Sequence, residues 1–288
     1  MRVGVIFPTS EIGTDPVGIR DYVQAAEELG FSHIIAFDHV LGAGLESRPD
    51  WRGPYSYTHP FHEPFVLFGY IAGITERIEM ATGVLILPQR QTALVAKQTA
   101  QIDVLSGGRL RLGVGIGWND VEYECLGEDF HTRGRRVEEQ AELLRKLWAD
   151  DLITFEGKWD RIPDAGINPR PLAGKIPLWF GGNADVALRR IARLADGWFP
   201  LFGPGDKGAA RIARMRDYLE EAGRDPANFG IDPMIQGERR VPADWAKELD
   251  WWRGQGATHA SLNTMGGGRK GPQAHIDAIR EFAGLVLN

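Results

Sequence analysis

The chain has 288 residues, 43% hydrophobic and 25% charged, a globular composition that excludes a disordered or fibrous polymer. A formal charge of -6 argues against nucleic acid or an anionic membrane as the main partner, and a single cysteine, Cys125, excludes a disulfide framework or a thiolate metal cluster. No apolar run approaches the roughly 18 residues of a membrane span, so a soluble, cytoplasmic protein acting on a small molecule is expected.

Short apolar runs alternate with amphipathic stretches along the whole chain. Val3–Phe7 carries no polar side chain, as a strand buried on both faces requires, and is too short for the core of a signal peptide. Asp15-Pro16 opens a helical pattern that stops at Gly30. His33–Phe37 is the second strand and ends in Asp38-His39; residues 41–62 form an irregular insertion rich in Gly, Pro and aromatics. Glu63-Pro64 starts a helix, and Ile78–Leu87, containing Gly83, is the third strand.

A helix over about 92–105 is closed by Ser106-Gly107-Gly108, and the fourth strand, Leu110–Val114, runs into Gly115-Ile116-Gly117-Trp118. Val137, Ala141, Leu144 and Trp148 share one helical face. A polar stretch with Pro163, Pro169 and Pro171 precedes Ile176–Phe180, then Gly181-Gly182-Asn183 and a helix to Leu194. Gly197–Leu201, Gly230–Ile235 and Ala257–Leu262 read as the last strands, with helices at 206–222, 243–254 and 273–286. Eight strand-like runs, mostly followed by helices, predict a parallel α/β fold, a TIM (β/α)8 barrel with loop insertions, as one domain over 1–288.

In such a barrel, function gathers after the C-terminal ends of the strands. Asp38 and His39, Gly83-Val84, Gly115 to Asp120, Trp179, Gly181-Gly182-Asn183 and Gly266–Lys270 all sit there. His39 has a side chain suited to proton transfer near neutral pH, though a backbone-bonded histidine would look the same. Gly113-Val114-Gly115-Ile116-Gly117 has the wrong spacing for a dinucleotide fingerprint, and Trp118 stands where a helix should open. The double glycine at 181–182, before a helix, suits an anion such as phosphate, or is simply a tight turn. His59-x-x-His62-Glu63 lacks further ligands, so no metal is expected. Asp103 and Arg109 are expected to pair, and Arg133, Arg135 and Arg136 to form a solvated helix start or an ion pair with Glu138, Glu139 or a neighbouring loop.

The string from Ala100 to Trp118 (A-x-x-D-x-L-S-x-G-R-x-x-L-G-V-G-x-G-W, with Asp103 and Arg109 inside it) resembles the bacterial-luciferase-like monooxygenase family. Asp38-His39, Thr82-Gly83-Val84, Phe130-x-x-Arg133-Gly134, Pro177-Leu178-Trp179-Phe180-Gly181-Gly182 and Asp196-Gly197-Trp198 match in order; beyond residue 200 only the element order does. Within the family the sequence is most similar to the branch that uses the deazaflavin coenzyme F420, with FMN-dependent monooxygenases as the alternative. The resemblance implies a barrel holding F420, or FMN, at its C-terminal mouth. His39 would lie near the ring as the catalytic group, with Asp38 beside it. A non-proline cis peptide would fall at Gly83-Val84. Gly115, Gly117 and Asn119 would line the ring edge or ribityl chain, and Gly181, Gly182 and Asn183 would hold the phosphate. Trp118, Trp179 or Tyr57 would wall the pocket, and Arg269 and Lys270 would meet the cofactor's acidic tail or the substrate. The expected chemistry is hydride transfer between the deazaflavin and a small organic substrate; with reduced FMN it would be oxygen activation. A cofactor-free lyase or isomerase and a flavin-carrying protein are the readings from other classes. A homodimer is expected through the helices carrying Phe65, Phe68, Leu94 and Val95.

Overall fold

A computed structural model describes residues 1–237 and 242–287. The N-terminal apolar run is β1 (Arg2–Ile6), followed by α1 (Pro16–Glu28), whose Asp15 cap accepts a hydrogen bond from the Val17 amide. Then come β2 (His33–Ala36), α2 (Pro64–Ile74), β3 (Glu79–Thr82), β4 (Leu85–Ile86), α3 (Thr92–Ser106) and β5 (Leu110–Gly115). A short α4 (Asp120–Cys125) and the long α5 (Arg133–Ala149) follow. The polar stretch that follows holds an antiparallel hairpin, β6 (Ile153–Glu156) and β7 (Arg161–Ala165). The chain continues through β8 (Leu178–Gly181), α6 (Asp185–Leu194), β9 (Gly197–Phe199) and α7 (Asp206–Glu221). It ends with β10 (Gly230–Ile231), β11 (Met234–Gln236), α8 (Pro242–Gly254), β12 (His259–Asn263) and α9 (Gly271–Val286).

The main sheet is parallel and curled, in the order β10-β9-β8-β5-β3-β2-β1-β12-β11, with β4 also on β5. Two expected strands are each broken into two. The third breaks at a cis peptide between Gly83 and Val84, where the resemblance places one. The seventh breaks at Asp232-Pro233, because proline has no N–H for the ladder.

One large apolar cluster fills the layer between strands and helices, among it Val5, Ile34, Leu112, Trp148 and Phe282. A smaller one, Ile6, Ile35, Ala81, Trp179 and Phe199, lies on the opposite, inner face of the sheet. At the starts of the strands that inner face carries charge instead. Arg111 reaches Glu79 (2.8 Å) and Asp232 (3.0 Å), and His33 meets Ser261 (2.7 Å) and Asp232 (3.1 Å). Gly4 is what admits the His33 ring, since a Cβ there would lie 2.4 Å from Nε2.

Burial, aided by the Arg111 charge, pushes His259 beside this network down to about 3, and burial with Arg269 pushes His275 down to about 4. Both imidazoles bind a proton less readily folded than unfolded, so the unfolded chain gains protons first as pH falls. Their contribution is complete above about pH 6.5 and declines on acidification toward 4, by about 1.4 kcal/mol per pH unit for each ring. Urea midpoints measured from pH 7.5 down to 4.5 are expected to fall steeply below 6.5; a flat profile would mean that neither ring is kept neutral by the fold.

The outer faces of α2 and α3 correct one expectation. Phe65, Phe68 and Val95 are buried in the chain's own core, and only Leu94 of the four is exposed. Val66 and Tyr70 are the apolar residues of α2 that face outward. Arg109 does not pair with Asp103: it binds carbonyls at the ends of α2 and α3 and the Thr75 hydroxyl, while Asp103 accepts from the Leu172 amide. Arg136 does form an ion pair with a neighbouring loop, at Glu128, and Arg133 lies over the Phe130 ring. No described helix is long and apolar enough to cross a membrane.

Candidate active site

A cavity of about 310 Å3 opens where the strands end at their C-termini. Eight of the eleven cofactor-contact residues expected from sequence line it, Asp38, His39, Gly83, Val84, Gly115, Gly117, Gly181 and Gly182, and so does Trp118, expected as a wall. Phe37, Ile86, Ile116, Phe199 and Leu201 complete the lining. Glycine is required by close approach at Gly115, where a Cβ would come within 2.6 Å of Val84 Cγ2. At Gly182, φ is +139°, a conformation side chains resist. The result is a flat slot between Val84 and the glycine strands, ending at the turn into α6.

Asp38 shapes the slot without offering its carboxylate to it. One oxygen accepts from the Ile86 amide (2.9 Å) and the other from Arg90 (2.7 Å), which pins the backbone just after the cis peptide. His39 is anchored through one nitrogen only. Nδ1 lies 2.6 Å from the Tyr55 hydroxyl and 3.4 Å from Glu122, while Nε2 has no hydrogen-bond partner among the described residues.

Behind His39, the Asn119 side chain caps α4 by accepting from the Glu122 amide (3.3 Å) and donates to Tyr55 Oη (2.8 Å). The Glu122 carboxylate accepts from the amides of Val40 (2.5 Å) and Leu41 (3.1 Å), fixing the turn that carries His39. Burial would raise the Glu122 carboxyl, but the bonds from His39, Leu41 and Val40 outweigh it and hold the group below its ordinary value. Burial lifts Tyr55 well above the usual phenol range, so it stays protonated. With Nδ1 engaged by the Tyr55 hydroxyl and the Glu122 carboxylate, Nε2 is the ring nitrogen free to meet a ligand.

Three expected residues stand off the cavity wall. Asn119 is buried in the network just described because its side chain satisfies two partners there. Trp179 points into the inner cluster beneath the cavity, packed at a tilt against Phe199 and with the Arg111 guanidinium 4.3 Å from its ring centroid. Asn183 bonds the Leu201 backbone on both sides, donating to its carbonyl (3.0 Å) and accepting from its amide (3.2 Å), and so locks the turn rather than lining it. Gly266–Lys270 lie outside the cavity, tied back through the Gly266 amide to Glu11 (2.9 Å) and through Arg269 to the Thr264 carbonyl (3.2 Å). Tyr57 is exposed and does not line the cavity; Tyr55, two residues earlier, is buried behind His39. His59 turns to Ser56 and His62 to the Gly13 carbonyl.

Tyr55 and Glu122 escaped the sequence reading. A signal existed for Glu122: Asn119-x-x-Glu122 has the spacing of a helix cap with an acid at its third position. None existed for Tyr55, because the insertion has no periodicity. That insertion also borders a wider groove of about 870 Å3, lined by residues 47–54 together with Trp118, Asp120 and Val121, so Trp118 is shared by both spaces.

The model of the luciferase-like monooxygenase family matches residues 1–246. The F420-dependent glucose-6-phosphate dehydrogenase of Segniliparus rotundus is 29% identical over 231 residues, covering 77% of this chain and 64% of that one. The pyrimidine monooxygenase RutA of Acinetobacter baylyi is 28% identical over 282 residues, 93% of this chain and 72% of RutA. Among solved structures, monooxygenase RslO1 from Streptomyces bottropensis superposes with a TM-score of 0.80 at 19% identity, over 100% of this chain and 99% of that one. With the match running through the slot, the His39 turn and the double-glycine corner, the chain belongs to the luciferase-like monooxygenase family, a family of oxidoreductases.

Proposed function

We propose that the chain is an F420-dependent oxidoreductase transferring a hydride between the deazaflavin and a small organic substrate. One observation carries this reading: a glycine-walled slot that ends at Gly181-Gly182 and has His39 Nε2 unpartnered beside it. The slot fits a flat tricyclic ring, since side chains at Gly115 or Gly181 would fill it, the latter 3.1 Å from Val84. The relatives include an F420-dependent dehydrogenase at 29% identity and a monooxygenase at 28%, so the deazaflavin is this reading's own choice between them.

The fold is read as one domain and one closed (β/α)8 barrel. Residues 230–231 pair with β9 and residues 234–236 with β12, which supports closure.

When bound, the deazaflavin supplies a ring carbon that gives or takes a hydride. Gly83, Val84, Gly115 and Gly117 would hold the ring, and Gly181 and Gly182 its phosphate. Asp38 holds the wall in place through Ile86 and Arg90. His39 Nε2 takes the hydroxyl proton as an alcohol becomes a carbonyl, or returns it in reverse, while Glu122 balances the imidazolium charge. Tyr55 and Asn119 position the ring of His39. The substrate would enter from the groove under the insertion, past Trp51 and Trp118.

Titration of the purified protein with F420 and with FMN, followed by fluorescence, tests the assignment. Micromolar or tighter F420 binding is expected; FMN binding with none for the deazaflavin would replace it with a flavin monooxygenase. The exposed Val66, Tyr70 and Leu94 support a homodimer through α2 and α3. Sedimentation is expected to give twice the chain mass of 31.9 kDa, and Leu94→Glu to shift it toward one.

A further inference from the structure

We infer that the cleft between α6 and α7 receives a polycarboxylate tail continuing past the phosphate end of the cofactor, and that Lys207 and Arg211 are the cations that select it; this rests on the deazaflavin reading. The cleft, about 320 Å3, is lined in part by Asn183, Asp185, Leu188, Lys207, Arg211 and Arg214. Asn183 follows directly on the double glycine that ends the first cavity, so the two spaces are consecutive along one turn. Lys207, Arg211 and Arg214 are spaced four and three residues apart on α7 and therefore share one face.

Ion pairing separates these cations. Asp185 is held by Tyr218 (2.5 Å), Arg214 (3.2 Å) and Arg189 (3.3 Å), and Arg189 also reaches Glu221 (3.3 Å). Arg214 is thereby spent. Lys207 has no carboxylate partner among the described residues, and Arg211 has only the Phe202 ring, 5.3 Å away. Asp206, the exposed first residue of α7, is the remaining acid nearby and bonds neither. In a chain of net charge -6, two exposed cations without an acidic partner among the described residues give the cleft a positive face beside the end of the ligand cavity, the complement of an anionic tail. A flavin mononucleotide stops at its phosphate, at the corner. A ligand bearing further carboxylates runs on into the cleft and meets both side chains. This also relocates the tail contact expected of Arg269 and Lys270, which lie off the cavity.

Three probes decide it by fluorescence titration: F420 with its glutamyl tail, the deazaflavin lacking phosphate and tail, and FMN. Wild type and the Lys207→Ala/Arg211→Ala double variant are compared at low and high salt. The double variant is expected to bind F420 about tenfold more weakly at low salt, with the difference shrinking at high salt. Its affinity for the tailless deazaflavin should not change. An unchanged affinity for F420, or an equal loss for tailed and tailless forms, overturns the inference while leaving the deazaflavin reading intact. Binding of FMN with neither deazaflavin bound overturns both.

Discussion

Asp232→Ala is expected to cost about 3–5 kcal/mol of stability, lowering the melting temperature by roughly 5–8 °C. Asp232 is fully buried and its carboxylate serves three partners at once: Arg111 at 3.0 Å, Ser261 at 2.9 Å and His33 at 3.1 Å. Burial alone would raise its pKa, but the His33 and Arg111 charges reverse this and hold it far below the ordinary carboxylate range. Removing the carboxylate leaves the Arg111 guanidinium buried with Glu79 as its one remaining acid among the described residues, and the penalty of that under-compensated charge outweighs any single lost hydrogen bond. Converting Arg111 to methionine as well should restore much of the loss, because a buried ion pair replaced by apolar volume is often neutral. Thermal melts of the two single variants and the double variant form the cycle. A single-variant loss below about 1 kcal/mol would show the network to be dispensable. Because it sits at the starts of the strands and the cavity at their ends, cofactor affinity measured below the melting range should not change.

This division between the ends of the strands explains what the sequence disclosed. An apolar run such as Val3–Phe7 names its strand because both faces of a parallel sheet are buried. Turn chemistry names the corners: Asp15-Pro16, Gly107 in its left-handed cap, Gly182 at positive φ. Residues on strand ends were therefore legible, and Asp38, His39, Gly83, Gly115 and Gly181 meet in one cavity. What stayed hidden depended on contacts between distant segments. Tyr55 reaches His39 from a loop with no period, and Arg90 reaches Asp38 across 52 positions. Trp179 was misjudged because a residue near a strand end faces either the mouth or the interior, and register decides which. Phe65 and Phe68 were misjudged because α2 is apolar nearly all round, so no stripe marks its outer face.

His39→Ala is the sharper test of function. With a panel of small alcohols and carbonyl compounds, and cofactor absorbance as the readout, kcat is expected to fall 10²–10⁴-fold on any member that wild type turns over. Cofactor affinity should change far less, since the slot is walled mainly by glycine, Val84 and Ile86. The reasoning lies in the asymmetry of the ring: Nδ1 is committed to Tyr55 and Glu122, so Nε2 is the nitrogen available to a reacting oxygen. Tyr55→Phe removes one anchor and leaves Glu122, so a loss nearer tenfold is expected, together with a displaced pH–rate profile that a merely local packing defect would not produce. Glu122→Gln should cost more than Tyr55→Phe, because it removes the charge opposite the imidazolium and disturbs the acceptor of the Val40 and Leu41 amides. If His39→Ala turns over at the wild-type rate with the cofactor still bound, the histidine is only a wall. The proton must then pass to or from solvent, or the slot must serve to carry its ligand rather than to react it.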